Sequence, residues 1–369
     1  MEVKIMADLT KKHEPFVRVA KRTQVSTKKS VLLQISAFVL AIIAGGLFIL
    51  LLGENPLEAY KHIIEGAFVG SVRNPLSSVQ ATVVRFIPLL IASLALVPAF
   101  KMKFCNIGAE GQIIMGGVFS TYFALFHSDW PHAILLIVMI LAGAVGGAFW
   151  ALIPTIFKIK FNTNETLFTL MLNYIALYIV RYLEAGPWQR TKGYASIGSI
   201  DDNARLPEVF GVHIGWIIAL VLMVLMFFYI SKTKQGYEIS VVGESQPTAR
   251  YAGMSVGKIV LRTMIISGAI AGLAGALQVA GIDHTLSGGI AGGVGFTAIV
   301  VAWLGKLNPF YIAGISFLFS ILAKGSSTMQ TQLGLSASVA DVVQGIILFC
   351  VIAFEFFINY KLIFKKKEG

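Results

Sequence analysis

Apolar residues in this chain gather in long blocks instead of alternating with polar ones. Ten blocks stand out, at residues 31–52, 81–100, 108–126, 133–157, 165–184, 214–231, 259–280, 293–305, 308–324 and 339–359. A helix needs about 20 apolar residues to cross about 30 Å of hydrocarbon, and most blocks reach or approach that length. The pattern predicts an all-α membrane protein with about ten transmembrane helices. The block at 293–305 is short for a crossing, so a broken or re-entrant element is expected there. The first block has 22 residues. That is longer than the roughly 7–15 of a signal-peptide core, so it reads as an uncleaved first span.

Three connecting segments are long. In 53–80, Leu57, Tyr60, Ile64 and Phe68 recur at helical spacing and predict a short interfacial helix over 56–68. Residues 185–213 hold Pro187, Trp188 and the polar run Asp201-Asp202-Asn203. Residues 232–258 form the longest internal loop. Pro247 is placed to open a short helix there through Ala252, and Gly253 to end it.

Spans two to five (81–184) and seven to ten (259–359) cover nearly equal lengths and enter the membrane from opposite sides. Inverted halves of this kind are common in transporters. Each half carries a glycine cluster after its first span. One is Gly108, Gly111, Gly116 and Gly117; the other is Gly288, Gly289, Gly292, Gly293 and Gly295.

Composition agrees with the blocks. The chain of 369 residues is 56% hydrophobic and 13% charged, about half the charge of a soluble domain. The net charge of +11 would suit nucleic acid if it lay on one face. Instead it follows topology. With the N-terminus inside, 22 Lys and Arg fall in cytoplasmic segments and six in external ones, with Arg85 and Arg181 inside spans. Ten crossings with both termini in the cytoplasm satisfy the positive-inside rule at every loop. The expected organisation is a basic tail at 1–30, a transmembrane domain at 31–360 and a basic tail at 361–369.

Catalytic motifs are not evident. The two cysteines, Cys105 and Cys350, are too few for a disulfide framework. The six histidines are scattered, and no metal-binding spacing occurs. The nearest approach to a phosphate loop, Gly305-Lys306-Leu307, lacks the upstream glycine and the hydroxyl. The chain is read as a transport subunit, not an enzyme, with no cofactor of its own.

Three polar segments are candidates for function. In Lys101-Met-Lys-Phe-Cys-Asn-Ile-Gly-Ala-Glu-Gly-Gln112, Glu110 and Gln112 sit at the start of the third span between glycines. They fit a pathway-lining element, or simply a helix N-terminus that favours a carboxylate. In Asn162-Thr-Asn-Glu165, Thr163 or Asn164 suits a helix N-cap. Asn173 lies about two turns inside the fifth span, where its amide must bond another helix or a polar solute. The third segment runs from Gly236 to Gly253. It fits either a solvated loop or a small-residue helix that docks on a soluble partner.

Two stretches carry a resemblance. Asn106-Ile-Gly-Ala-Glu-Gly-Gln112 and Gly243-Glu-Ser-Gln-Pro-Thr-Ala-Arg-Tyr-Ala-Gly253 resemble signatures of bacterial ABC importer permeases of the simple-sugar and branched-chain amino acid superfamily. Asn164-Glu165 with Thr169-Leu-Met-Leu-Asn173 is similar to the nucleoside permeases within it. The resemblance spans about residues 31–360. It implies the ten-helix fold of the vitamin B12 uptake system, and it implies a nucleoside pathway. Asn106, Glu110, Gln112, Asn164, Glu165 and Asn173 are the candidate pathway residues. Asn106, Gln112 and Asn173 would offer amides, and Phe104, Phe168, Tyr174 and Trp303 aromatic faces.

The resemblance also makes Gly243 to Gly253 the coupling helix that docks on an ATPase, with Gly243, Glu244, Ala249, Ala252 and Gly253 as its contact residues. The implied partners are that ATPase, which binds the ATP, a second related permease chain and an extracellular substrate-binding lipoprotein. One departure concerns Glu244-Ser245 and Thr248-Ala249, where many relatives have Asn and paired Ala; it bears on which ATPase is recognised. Two alternative functions remain: a ribose-like sugar permease, and an ion-coupled transporter using Glu110, Glu165 and Asp341.

Overall fold

The computed structural model describes residues 17–21, 27–336 and 360–364, and scattered positions between 339 and 353. The apolar blocks become helices with bounds close to those expected. In chain order they are α1 (Thr27–Leu51), α2 (Pro56–Phe68), α3 (Ser77–Lys101), α4 (Ala109–Phe126), α5 (His132–Phe161), α6 (Glu165–Ala185) and α7 (Gly215–Lys232). They continue with α8 (Lys234–Glu244), α9 (Gln246–Tyr251), α10 (Val256–Gln278), α11 (Val294–Leu304) and α12 (Pro309–Leu333).

Six of these helices are long and apolar enough to cross a membrane: α3, α5, α6, α7, α10 with its extension to Asp283, and α12. A bent pair, 39–51 with 56–68, adds a seventh as a broken span. α4 matches the third expected block, but Glu110 and Gln112 in its first turn dilute its apolarity. The tenth block, 339–359, falls largely outside the described residues; the positions described there are helical. The eighth block becomes α11, only 11 residues long. At 1.5 Å per residue it reaches about 16 Å, half a hydrocarbon layer. The expected broken element is therefore found. α10 ends in a π-helical turn (Val279–Asp283), His284 reverses in left-handed backbone at φ 52°, and a glycine-rich loop leads into α11.

Two units divide the chain, 62–329 and 1–61 with 330–369. In the second, Val17–Lys21 pairs antiparallel with Tyr360–Phe364, Val17 opposite Phe364. Near the expected boundaries at 30 and 361, α1 opens at Thr27 and a strand covers Tyr360–Phe364. Tyr60 donates its hydroxyl to the Ile42 carbonyl where Gly45 leaves room for the ring.

Within 62–329, α3 is the central helix, with nearly every residue from Phe86 to Phe100 buried. Around it, α5 and α10 cross at close range. Each carries a glycine pair four residues apart, Gly143 and Gly147 against Gly268 and Gly272. A Cβ on Gly147 would strike the Gly268 carbonyl, and one on Gly272 the Gly143 carbonyl. α4 joins the same seam, where Gly116 faces Gly272, and Gly275 faces Ile113. In lipid no hydrophobic force separates helix from solvent, so backbone contact over small residues supplies the packing. Of the first predicted glycine cluster, Gly116 and Gly117 serve this seam, against Gly272 and Gly275 of α10, whereas Gly108 and Gly111 face Thr169 and Asn173 of α6.

The segment 185–213 is ordered by two short hairpins, Gln189–Thr191 with Tyr194–Ile197 and Glu208–Val209 with Val212–His213. Asn203 donates to the carbonyls of Ser128 and Trp130, tying this cap to the turn between α4 and α5.

Candidate functional site

The 106–112 signature builds a buried clasp among three elements. Asn106 turns the chain into α4: its Oδ1 accepts the Gly108 N–H at 2.9 Å and the Gln112 amide at 3.3 Å. Its own amide donates to Gln112 Oε1 at 3.4 Å. Asn173 of α6 then grips the same turn from outside. Its Oδ1 accepts the Gly111 N–H at 2.9 Å and its Nδ2 donates to the Ile107 carbonyl at 3.0 Å. Thr169, one turn earlier, accepts the Ile107 N–H at 3.2 Å. Gly111 must be glycine here, because a Cβ would meet both Asn173 Oδ1 and Trp150 Nε1.

Glu110 reaches the third element. Its Oε1 accepts the Gly293 N–H at 2.8 Å and its Oε2 the Gly295 N–H at 2.7 Å, at the N-terminus of α11. A carboxylate is favoured there by the exposed amide dipoles. Gly295 lies so close that a Cβ would collide with the Glu110 backbone. The short helix α11 is thereby pinned to α4 across 185 residues of sequence. Asn106, Glu110, Gln112 and Asn173 are all buried, and each is bonded within the protein.

The other two candidate pathway residues lie apart from the clasp. Asn164 is the N-cap of α6, its Oδ1 accepting the N–H groups of Thr166 and Leu167 at 3.1 and 3.2 Å. Glu165 forms an ion pair with Lys158 at 2.9 Å. Of the candidate aromatic faces, Phe104 is buried, Phe168 stacks on Phe157, and Trp303 stacks on Phe100. Tyr174 is exposed on the outside of α6.

Within the loop expected at 232–258 the short helix opened by Pro247 is found as α9, and an unexpected helix, α8, precedes it. Thr233 caps α8 through the Gly236 N–H at 3.1 Å. Ser245 caps α9 by accepting the Thr248 N–H at 3.3 Å, with Pro247 in the first turn. Gly253 follows α9 at φ 75°, the left-handed backbone that ends a helix. Gly243 packs directly on the Lys101 carbonyl at the end of α3. Arg262 of α10 bonds Glu238 of α8 at 2.9 Å. Ala249 is fully buried, whereas Glu244 and Ala252 are exposed and Tyr251 is 94% exposed. α8 is thus held to α3 and α10, and α9 presents Tyr251 and Ala252 outward.

Sequence reasoning placed Glu110 at membrane depth but missed its partners, Gly293 and Gly295. The signal was present in the demand of any buried carboxylate for donors and in the glycine cluster at 288–295. Also missed was His213, 3% exposed at the base of α7. Neither of its ring nitrogens has a partner. Its ring fits only because Gly215 and Gly281 lack side chains. Burial, with the neighbouring His284 adding repulsion, lowers its pKa to about 4.

A multi-pass helical bundle with a buried glycine seam, a half-length helix and a projecting short helix defines a membrane transport subunit. The comparisons give the family. Residues 78–352 match the model described as the permease component of the branched-chain amino acid transport system, and the chain belongs to that family of ABC transporter permeases. It is 32% identical to a glucose ABC transporter permease protein of Haloferax volcanii, over 87% of each chain. It is 32% identical to a guanosine ABC transporter permease protein of Bacillus subtilis, over 92% of this chain and 97% of that one. A nucleoside ABC transporter permease protein of Lactococcus lactis is 31% identical, over 90% of this chain and 93% of its own.

Proposed function

We propose that this chain is the translocation subunit of a nucleoside importer, driven by ATP hydrolysis on a separate ATPase chain. The observation that carries the substrate class is the pair of guanosine and nucleoside permeases, aligned over 92% and 90% of this chain. The glucose permease favours a second reading, a simple-sugar substrate, at equal identity. α9 is the element that docks on the ATPase. It is short, capped at both ends and exposed at Tyr251, as a helix seated in a partner's groove must be. A second, related permease chain completes the pathway, and an extracellular binding lipoprotein delivers the substrate. Both termini lie in the cytoplasm. The charge asymmetry supports this, as does the pairing of 17–21 with 360–364, because paired tails share one side of the membrane.

In this reading the buried amides position the pathway instead of touching the solute. Alternating access moves helices against one another as bodies, and the clasp keeps α4, α6 and α11 together in that motion. The substrate class is tested by uptake of labelled guanosine in cells expressing the complete transporter. Excess unlabelled nucleosides should abolish uptake and excess glucose or ribose should not. Competition by sugars alone would replace the nucleoside reading with the sugar one.

A further inference from the structure

A cavity of about 450 Å³ lies beneath α9, outside the clasp. Its walls come from four places: the turn after α3, the end of α5, the start of α6, and α9 with the start of α10. Three cations line it, Lys103, Lys158 and Arg250, against one carboxylate, Glu165. Glu165 is already bonded to Lys158 at 2.9 Å. Among the described residues, neither Lys103 nor Arg250 has a carboxylate partner. The cavity therefore carries an unbalanced positive charge.

Its backbone adds to that charge. Lys103 holds left-handed backbone at φ 60°, a conformation in which glycine is free of strain and lysine is not. The chain thus presents an ammonium group where local geometry favours none. Val256 and Gly257, the opening residues of α10, also line the cavity, and Ser255 gives that helix start no side-chain cap. Asn162 and Gln246 add neutral polar groups, and Phe104, Ile159 and Val260 form an apolar part of the wall beside the cations. A site for a free inorganic anion has no use for that wall. An amphiphile, anionic at one end and apolar at the other, matches both parts.

We propose that this cavity binds a phosphate ester with an apolar stem, namely the headgroup of an anionic phospholipid. The end of the bundle that holds it is the end where Lys101, Lys103, Lys158 and Lys160 cluster. Basic pockets at that level meet the anionic leaflet surface. Seated there, the headgroup bridges α9 to the ends of α5 and α6. The element proposed to receive the ATPase is thereby sensitive to the lipid. The binding itself does not depend on which solute the chain carries.

Native mass spectrometry of the full transporter, purified with bound lipid, tests the site. Wild type should retain phosphatidylglycerol through detergent exchange. Lys103→Gln and Arg250→Gln should each weaken retention about fivefold, the loss expected for one cation near a headgroup. Lys160→Gln removes the same charge outside the cavity and should leave retention and melting temperature unchanged. Titration with inorganic phosphate separates the sources. Phosphate that displaces the lipid, with the same dependence on Lys103 and Arg250, would keep the phosphate site but assign it to a soluble ester. Equal lipid retention in wild type, Lys103→Gln and Arg250→Gln would overturn the proposal.

Discussion

Glu110 is the residue on which the interior most visibly turns. Its two oxygens take the Gly293 and Gly295 amides at 2.8 and 2.7 Å. Hydrogen bonds to a charged group contribute about 1.5–3 kcal/mol each. Glu110→Ala should therefore destabilise the protein by about 3 kcal/mol or more, read as a lower melting temperature in detergent, with Glu110→Gln intermediate. A variant that melts normally but fails to transport would return Glu110 to the pathway and remove it from the clasp. His213 offers a second residue-scale test, through pH. Its pKa falls from 6.5 to about 4 on folding, so between those values the unfolded chain binds more protons. Stability is full above about pH 6.5 and is lost as pH falls toward 4, by about 3 kcal/mol in all. The slope of melting temperature against pH over that window should flatten in His213→Asn. An unchanged slope would assign it to other groups. Of the two, only Glu110 left a signal in the chain, the demand of a buried carboxylate for donors, and it did not name the partners. A lone His before a span looks like any loop residue, and nothing local to Glu110 points 183 positions ahead to Gly293.

At the scale of elements, hydrophobic length was nearly sufficient. The helix at 56–68 was legible to the residue from Leu57, Tyr60, Ile64 and Phe68. The short eighth block was legible as a broken element because 11 helical residues cannot span a bilayer. The internal segment was harder. Its charged and small residues read as a loop, yet Thr233 and Ser245 cap two consecutive helices, and Gly243 lets the first press on α3. Capping chemistry revealed the second helix and concealed the first, since α8 has little apolar face to betray it. The glycine seam was legible only at Gly116 and Gly117. Clusters were visible, but four-residue spacing alone does not name the partner helix. The prediction at this scale concerns α9. Ala252 is exposed and caps the helix, so Ala252→Glu should fold normally and still accept substrate from the receptor. Transport should fall at least about tenfold, the cost of 1.4 kcal/mol at a docking face. Unimpaired transport would mean that α9 is not the docking element.

For the whole molecule, the family places this chain among ABC transporter permeases. It has a multi-pass helical bundle and a short helix, α9, exposed at Tyr251. Multi-pass helical character was the most legible feature at this scale, because apolar blocks recur along nearly the whole chain. The paired tails were not, since ten residues of ordinary composition gave no reason to join. The direct measurement is uptake of labelled guanosine into proteoliposomes that hold the purified transporter, with ATP supplied on the ATPase side. The account predicts accumulation that requires hydrolysable ATP and persists when proton and sodium gradients are collapsed. Uptake that continues without ATP and stops with the gradients would contradict it, and would make the chain an ion-coupled carrier.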